Sequence, residues 1–274
     1  MELPIYIKRE HLSTRDVRDR LPHYHNEIEL IYVLKGSMEC QTNDSIFPLA
    51  KGDLCFINKG QLHHLYEKED TSEHISIIIY TDLLTQYKEI FDTYISPMLN
   101  DLTFSHIKFS SIDGNSEKIY HYILEIEQLL KEKPIAYELS IIADIHLIFK
   151  HLYLTYMNAD SVTIMDEDSL LQQKMIQYIE DHYMEDINVD DIAKASSVSR
   201  SKCFRIFKNY TRISPITYLN GYRLEIAASK LKNTNDSVST IALDSGFSQA
   251  SYFNKLFLKE YGYTPLEYRK RNFL

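Results

Sequence analysis

The spacing of apolar positions changes once along the chain. From Ile5 to about Tyr80, apolar and polar residues alternate, or β-branched residues run together, in short stretches cut by turn formers. Glu29 to Leu34 alternates and stops at Lys35-Gly36. Met38 to Gln41 stops at Asn43-Asp44. A turn over 49–53 leads into Leu54-Cys55-Phe56-Ile57, which stops at Asn58-Lys59-Gly60, and Ile75 to Tyr80 is a β-branched run. A period of two predicts strands, and short strands this closely spaced predict a small barrel or a double-sheet jelly roll. From Glu117 the period becomes helical. Glu117 to Lys133 gathers Ile119, Tyr122, Ile123, Ile126, Leu129 and Leu130 on one face. Tyr137 to Met157 gathers Leu139, Ile142, Ala143, His146, Phe149, Leu152, Tyr153 and Tyr156. Asn158 to Asp168 is polar and acidic, has no apolar face, and is expected to be a linker.

After the linker the pattern repeats itself. Asn188-Val189-Asp190-Asp191-Ile192-Ala193, a turn at Ser197-Val198-Ser199, Phe207-Lys208 and Pro215-Ile216-Thr217-Tyr218 make the first copy. Ser237-Val238-Ser239-Thr240-Ile241-Ala242, Ser245-Gly246-Phe247-Ser248, Phe257-Leu258 and Pro265-Leu266-Glu267-Tyr268 make the second. The copies register at an offset of 49 before the turns and 50 after them, so one residue has entered the second turn. Asn188 and Ser237 are good helix N-caps, and Asp191 completes an approximate capping box with Asn188. Ile192-Ala193 and Ile241-Ala242 put an apolar and a small residue where two helices must cross. The following helices are expected over Ser199 to Asn209 and Gln249 to Glu260. Their core stripes are Cys203, Ile206, Phe207 and Phe253, Leu256, Phe257. Their opposite faces carry Arg200, Ser201, Lys202, Arg205, Lys208 in one, and Gln249, Ser251, Asn254, Lys255, Lys259 in the other. Two short helices about a tight turn, the second with an exposed basic face, predict a helix-turn-helix that puts that face into the major groove. An amphipathic helix from Pro215 to about Lys232 joins the two units.

Charge alters this picture only when the chain is divided. The formal charge of −9 disfavours contact with nucleic acid. Residues 1–168, however, hold 15 Lys/Arg against 28 Asp/Glu, net −13, while residues 169–274 hold 15 against 11, net +4. The acid lies in the half that need not touch DNA. Cys40, Cys55 and Cys203 have no metal-ligand spacing and fit a reducing compartment without a disulfide framework. Met1-Glu2-Leu3-Pro4 does not open a signal peptide, and no stretch reaches the roughly 20 apolar residues of a membrane span, so a cytoplasmic protein is expected.

Residues 169–272 resemble the DNA-binding domain of the AraC/XylS family of bacterial transcription regulators. Ile192-Ala193, Phe207-Lys208, Tyr218-Leu219, Arg223, Ala227, Leu231, Ile241-Ala242, Gly246-Phe247, Tyr252-Phe253, Phe257, Gly262, Thr264-Pro265 and Tyr268-Arg269 carry the likeness. Arg212 stands where the family has a helix-ending Gly, and Leu258 where it often has a basic residue. The resemblance implies double-stranded DNA as partner, with Arg200, Ser201, Lys202, Arg205, Lys208, Gln249, Ser251, Asn254 and Lys255 at the contact. It further implies RNA polymerase as a partner, homodimerisation, and activation more often than repression.

The strand-rich half holds a second pattern. His23-Tyr24-His25, Glu29 and Gly36 are followed by Gly52, Gly60 and His63, which resembles the two motifs of the cupin fold. Asn58 replaces the usual Pro, Glu67 the final Asn, and Val17 the opening Gly. Residues two apart on a strand share a face, so His23, His25 and Glu29 can point into one barrel, with His63 opposite. Three imidazoles and a carboxylate suit zinc, iron, manganese, nickel or copper. The same groups serve as hydrogen-bond partners of a hydroxylated organic ligand. The expected site is therefore an effector pocket lined by His23, Tyr24, His25, Glu29, Tyr32, His63 and Tyr66, with no cofactor required and a metal on His23, His25, Glu29 and His63 as the alternative. A sugar or related polar metabolite suits that lining. The two long helices are expected to dimerise through Ile119, Ile123, Ile126 and Leu130, or else to cover the barrel.

The expected fold is α+β and multi-domain. Residues 1–160 form a cupin-like β-barrel with dimerisation helices, 161–168 the linker, and 169–274 an all-α domain of two helix-turn-helix units. The expected function is a sequence-specific DNA-binding transcription regulator and not an enzyme. A metal-dependent cupin enzyme or metal sensor fused to a DNA module, and a regulator using the barrel only as a scaffold, are the rivals.

Overall fold

The computed structural model describes residues 3–11, 21–67, 72–101, 103–112, 114–158 and 167–272. Val17 and most of the expected linker lie outside them. The described residues form two compact units, 3–11 with 23–158, and 167–272 with 21–22. Among them no helix is long and apolar enough to cross a membrane.

The N-terminal unit is a two-sheet sandwich. β1 (Ile5–His11), β2 (Ile28–Lys35), β5 (Leu54–Ile57), β7 (Glu73–Ile79) and β8 (His106–Phe109) form an antiparallel sheet in the order β1-β7-β2-β5-β8. β3 (Ser37–Thr42), β4 (Ser45–Ala50) and β6 (His63–Glu67) form a second sheet in the order β4-β3-β6. β2 is buried on both faces along most of its length. Ile28 and Leu30 point to a core shared with the helices, whereas Ile31 and Val33 point into the sandwich with Met38, Cys40, Leu49, Cys55 and Ile57. β4 alternates in burial although it carries Pro48, with Ser45, Phe47 and Leu49 turned inward. The structure tolerates that proline because β4 is an edge strand, where a missing N–H costs no ladder bond.

Two short helices, α1 (Lys88–Ile90) and α2 (Ser96–Leu99), flank a π-helical turn at Phe91–Ile95. Two long ones follow, α3 (Asn115–Glu132) and α4 (Tyr137–Met157). They correct one expectation. Ile119, Ile123 and Ile126 are fully buried in the core with Ile141, Ile145 and Ile148 of α4, and Leu130 packs partly buried against it. These residues are spent on the core of this chain, as the alternative of helices covering the sheet expects.

The C-terminal unit is helical throughout. α5 (Glu167–His182) begins inside the stretch expected to be linker. The first helix-turn-helix is α6 (Val189–Ala195) and α7 (Arg200–Thr211). α8 (Pro215–Asn233) leads to the second, α9 (Val238–Asp244) and α10 (Ala250–Tyr261), and α11 (Pro265–Asn272) closes the unit. The caps are made as the sequence implies. Asn188 and Asp191 form a capping box, and Ser199, Ser214 and Ser237 each accept a backbone N–H of their helix's first turn. The equivalent turns close with matching bonds, Val198 N to Ala193 O at 3.0 Å and Phe247 N to Ala242 O at 3.0 Å. The extra residue of the second copy is Ser248, between that turn and α10.

One buried charge in the N-terminal unit carries a pH dependence. Asp144 of α4 is buried, its Oδ2 has no hydrogen-bond partner, and burial, helped by the charge of Glu125, pushes its pKa up to about 6. The folded state therefore prefers the neutral acid and loses stability as pH rises from the ordinary 3.8 through about 6. Asp144→Asn is expected to raise the melting temperature at pH 7.5, corresponding to about 1–3 kcal/mol, with the gain vanishing below pH 4. Equal gains at both pH values in thermal melts would refute this origin.

Candidate DNA-reading surface and ligand site

α7 and α10 present equivalent surfaces. Cys203, Ile206 and Phe207 are buried in one, Phe253 and Phe257 in the other. Turned away from those stripes, Arg200, Ser201, Arg205 and Lys208 are exposed on α7 and Lys202 is half-buried, while Gln249, Ser251, Asn254 and Lys255 are exposed at or in α10. All nine expected contact residues thus lie on outward faces. The α7 cations are not free of acid. Arg200 Nη1 bonds Asp190 Oδ2 at 2.8 Å, Arg205 Nη2 bonds Asp168 Oδ2 at 2.8 Å, and Lys202 Nζ lies 3.4 Å from Asp168 Oδ1. The apolar members of these faces were not singled out from sequence. Phe204 is exposed beneath the Arg200 guanidinium, 6.0 Å from its ring centre, and Tyr252 is exposed on α10. Phe204 falls outside its helix's core stripe, the signal that separates a surface aromatic from a core one, and such a ring can meet a thymine methyl.

The histidines come together in the N-terminal unit. His23 and His63 form a backbone bridge, with N–H to O distances of 3.1 and 2.9 Å, and Gly60 N donates to His25 O at 2.7 Å. The turn at Gly60, with φ 69°, folds the chain back so that His63 meets His23 and His25. The three rings lie 4.5 to 5.8 Å apart by centroids, and their donor atoms fall within 4.8 Å of one another. Glu29, at the start of β2, is buried beside them. Its Oε2 lies 2.9 Å from His63 Nε2 and 3.4 Å from His25 Nε2. Each of these rings gives its Nδ1–H to a backbone carbonyl, His63 to Gln61 O at 2.9 Å and His25 to Glu27 O at 3.1 Å.

That tautomer fixes the chemistry. With Nδ1 donating, Nε2 can donate to Glu29 only from an imidazolium, and a neutral ring turns a lone pair toward the carboxylate. Burial acts to raise the Glu29 pKa, but the bonds and charges of His25 and His63 outweigh it and hold the carboxyl well below its usual range. Burial acts to lower the His25 pKa, but Glu29 and Glu27 outweigh it and raise it. Neutral rings in this arrangement fit a divalent first-row metal held by His23, His25 and His63 beside Glu29, and such an ion would supply a Lewis-acidic centre for a ligand oxygen.

Two expected lining residues are elsewhere. Tyr32 stacks on Tyr120 of α3, centroids 3.8 Å apart, on the helix side of the sheet. Tyr66 donates to Gln41 Oε1 at 2.7 Å beside His64, away from His63. An odd spacing from Glu29 and from His63 turns both to the opposite strand face. Tyr24 is half-buried between His23 and His25 in the chain. A further polar contact was not foreseen. Glu10 and His74, both buried, pair across β1 and β7 with Nε2 to Oε2 at 3.7 Å.

Comparison with known proteins matches both units. A helix-turn-helix domain family model matches residues 192–271, and a model of the AraC-like ligand binding domain matches residues 9–133. The chain is 27% identical to the uncharacterized HTH-type transcriptional regulator YdeC of Bacillus subtilis, over 99% of this chain and 94% of that one. It is 25% identical to the HTH-type transcriptional activator RhaS of Escherichia fergusonii, over 93% and 91%. A solved structure of ToxT from Vibrio cholerae, an apo variant, aligns over 98% of this chain and 97% of that one with a TM-score of 0.53. Their 12% identity makes this a likeness of fold.

The charge pattern at Glu29 is open to titration. Its lowered pKa contributes stability that is complete above 4.5 and lost as pH falls through the folded value. The raised pKa of His25 contributes stability that is complete below 6.5 and lost as pH rises through the folded value. In the presence of a chelator, the melting temperature of the protein minus that of Glu29→Gln is expected to be largest between pH 4.5 and 6.5 and to shrink on either side. A difference independent of pH would show that the carboxylate is not paired with protonated imidazole.

Proposed function

Because the chain belongs to the AraC family of helix-turn-helix transcription regulators and carries an AraC-like ligand binding domain, we propose that it reads a specific operator with α7 and α10 under the control of a small polar molecule held by His25, Glu29 and His63. The observation that carries the reading is the duplicated unit, whose two second helices present polar and basic faces at equivalent positions. Arg205 and its counterpart Lys255 lie midway along those faces, suited to base edges, while Lys208 lies nearer the helix end, suited to phosphate. Activation through RNA polymerase is the mode we favour, in line with the activator name of the RhaS relative.

For the effector, a hydroxylated metabolite such as a sugar suits imidazoles and a carboxylate, which together donate to and accept from hydroxyl groups. A solved ToxT structure of similar fold carries an unsaturated fatty acid. Here the Glu29 carboxylate within the cluster would repel an acid headgroup. Control requires the effector to bind two arrangements of the protein with different affinity. A homodimer is part of the proposal, with its contact moved to the outer side of α4, where Leu139, Leu147, Leu154 and Met157 are exposed.

Two measurements test this. In footprints of the full chain, each protomer is expected to protect two successive major-groove segments about 34 Å apart. Arg205→Ala should cost about 1–3 kcal/mol on the selected sequence and little on random duplex. Protection of one segment per protomer, or equal loss on both duplexes, would contradict the assignment. In sedimentation, Leu147→Asp with Leu154→Asp is expected to give a folded monomer, and a folded dimer would exclude that face.

A further inference from the structure

The first reading helix is tethered by an acid from outside the helix-turn-helix. Asp168 lies in the first turn of α5, and its two carboxylate oxygens are divided between two cations of α7, Oδ2 to Arg205 and Oδ1 to Lys202. The carboxylate is the fixed partner. Its side chain is 20% exposed, against 56% for Arg205 and 36% for Lys202. The Asp190–Arg200 pair is different in kind, since both of its side chains are more than half exposed and it lies within the helix-turn-helix itself. At the second reader, Lys255, the counterpart of Arg205, has no ion pair among the described residues.

We propose that Asp168 is a specificity-determining positioning residue for DNA recognition by α7, an inference that rests on the reading of Arg205 as a base contact. Two effects follow from the geometry. One Nη2–H···Oδ2 bond of 2.8 Å restricts the otherwise freely rotating Arg205 side chain. It leaves most of the five-donor guanidinium fork available for a base edge, where bidentate geometry discriminates. The same carboxylate reduces the charge of the Lys202–Arg205 pair from +2 to +1 where it meets the duplex. Attraction to phosphate, which is blind to sequence, scales with that charge, whereas base contacts depend on placement. Asp168 thus weakens binding to arbitrary DNA and strengthens preference among sequences.

The test uses the full chain and a duplex enriched from a randomised library, with a scrambled duplex as competitor. Asp168→Asn keeps the shape and removes the charge, and thermal melts verify the fold. Affinity for the scrambled duplex is expected to rise, with a salt dependence steeper by about one unit of slope. Preference for the enriched duplex is expected to fall by about three- to tenfold, with base preference relaxing at the positions that Arg205→Ala also relaxes. In an Arg205→Ala background, Asp168→Asn should leave the preference unchanged, because the acid acts through that arginine. Equal gains on both duplexes, no change on either, or a loss of preference that persists without Arg205 would each overturn the proposal. Failure of the unaltered protein to enrich any sequence would overturn the DNA reading itself, and this inference with it.

Discussion

The C-terminal unit depends on one buried guanidinium. Arg223, on the helix that joins the two reading units, donates Nε to Tyr183 O and Nη2 to Glu185 O, each at 2.7 Å. Those carbonyls lie just beyond α5, in the first half of the unit. The guanidinium also sits 5.9 Å from the ring centre of Phe247, in the turn of the second half. Gly246 completes the junction. A Cβ there would lie 2.3 Å from Tyr183 O and 2.7 Å from Arg223 Nε, so no other residue fits without moving the contact. Without this donor the Tyr183 and Glu185 carbonyls would each lose a bond to a charged group, although Glu185 O would keep the Ile187 N–H. Arg223 thus adds a polar tie between the halves to the apolar packing of the helix that joins them, whose Leu224, Ala227, Ala228 and Leu231 lie in the core of the second half.

The N-terminal unit is organised about β2 in a comparable way. Its two faces serve separate cores, one made with α3 and α4 and one inside the sandwich. Ile31, Val33, Met38, Cys40, Leu49 and Ile57 occupy that interior. The polar cluster lies where β2 and β6 begin, with the imidazoles of His25 and His63 oriented by backbone carbonyls. That orientation leaves the Nε2 edges of these two rings for chemistry.

Much of this was readable from the residues, and the exceptions have physical causes. The duplication was plain because caps, small residues and prolines recur in register, and local rules of that kind survive folding. The meeting of His23, His25 and His63 accords with the spacing of the cupin-like motifs but not with strand parity, since His23 makes only an isolated bridge and His25 lies outside any strand. Tyr32 and Tyr66 suit a polar pocket by composition, but each lies an odd number of residues along its strand from Glu29 or His63, which turns both away from the cluster. Ile123 and Ile126 show a deeper limit. A helical stripe states that a face is buried and does not name the surface that buries it. Asp168 was assigned to the linker because acids early in a helix look like linker residues, yet they are also what a helix N-terminus favours. Its partnership with Arg205, 37 residues away, has no local signature.

The backbone of the two copies differs in one respect that composition conceals. In the first, the left-handed positions of the turn and of the helix end are Ser197, φ 56°, and Arg212, φ 61°. In the second they are Gly246, φ 85°, and Gly262, φ 71°. Side chains in that region cost on the order of 1 kcal/mol each, and glycine almost nothing. The first unit therefore holds its turn and its helix end against a penalty that the second avoids, and glycine at Ser197 or Arg212 would remove that penalty.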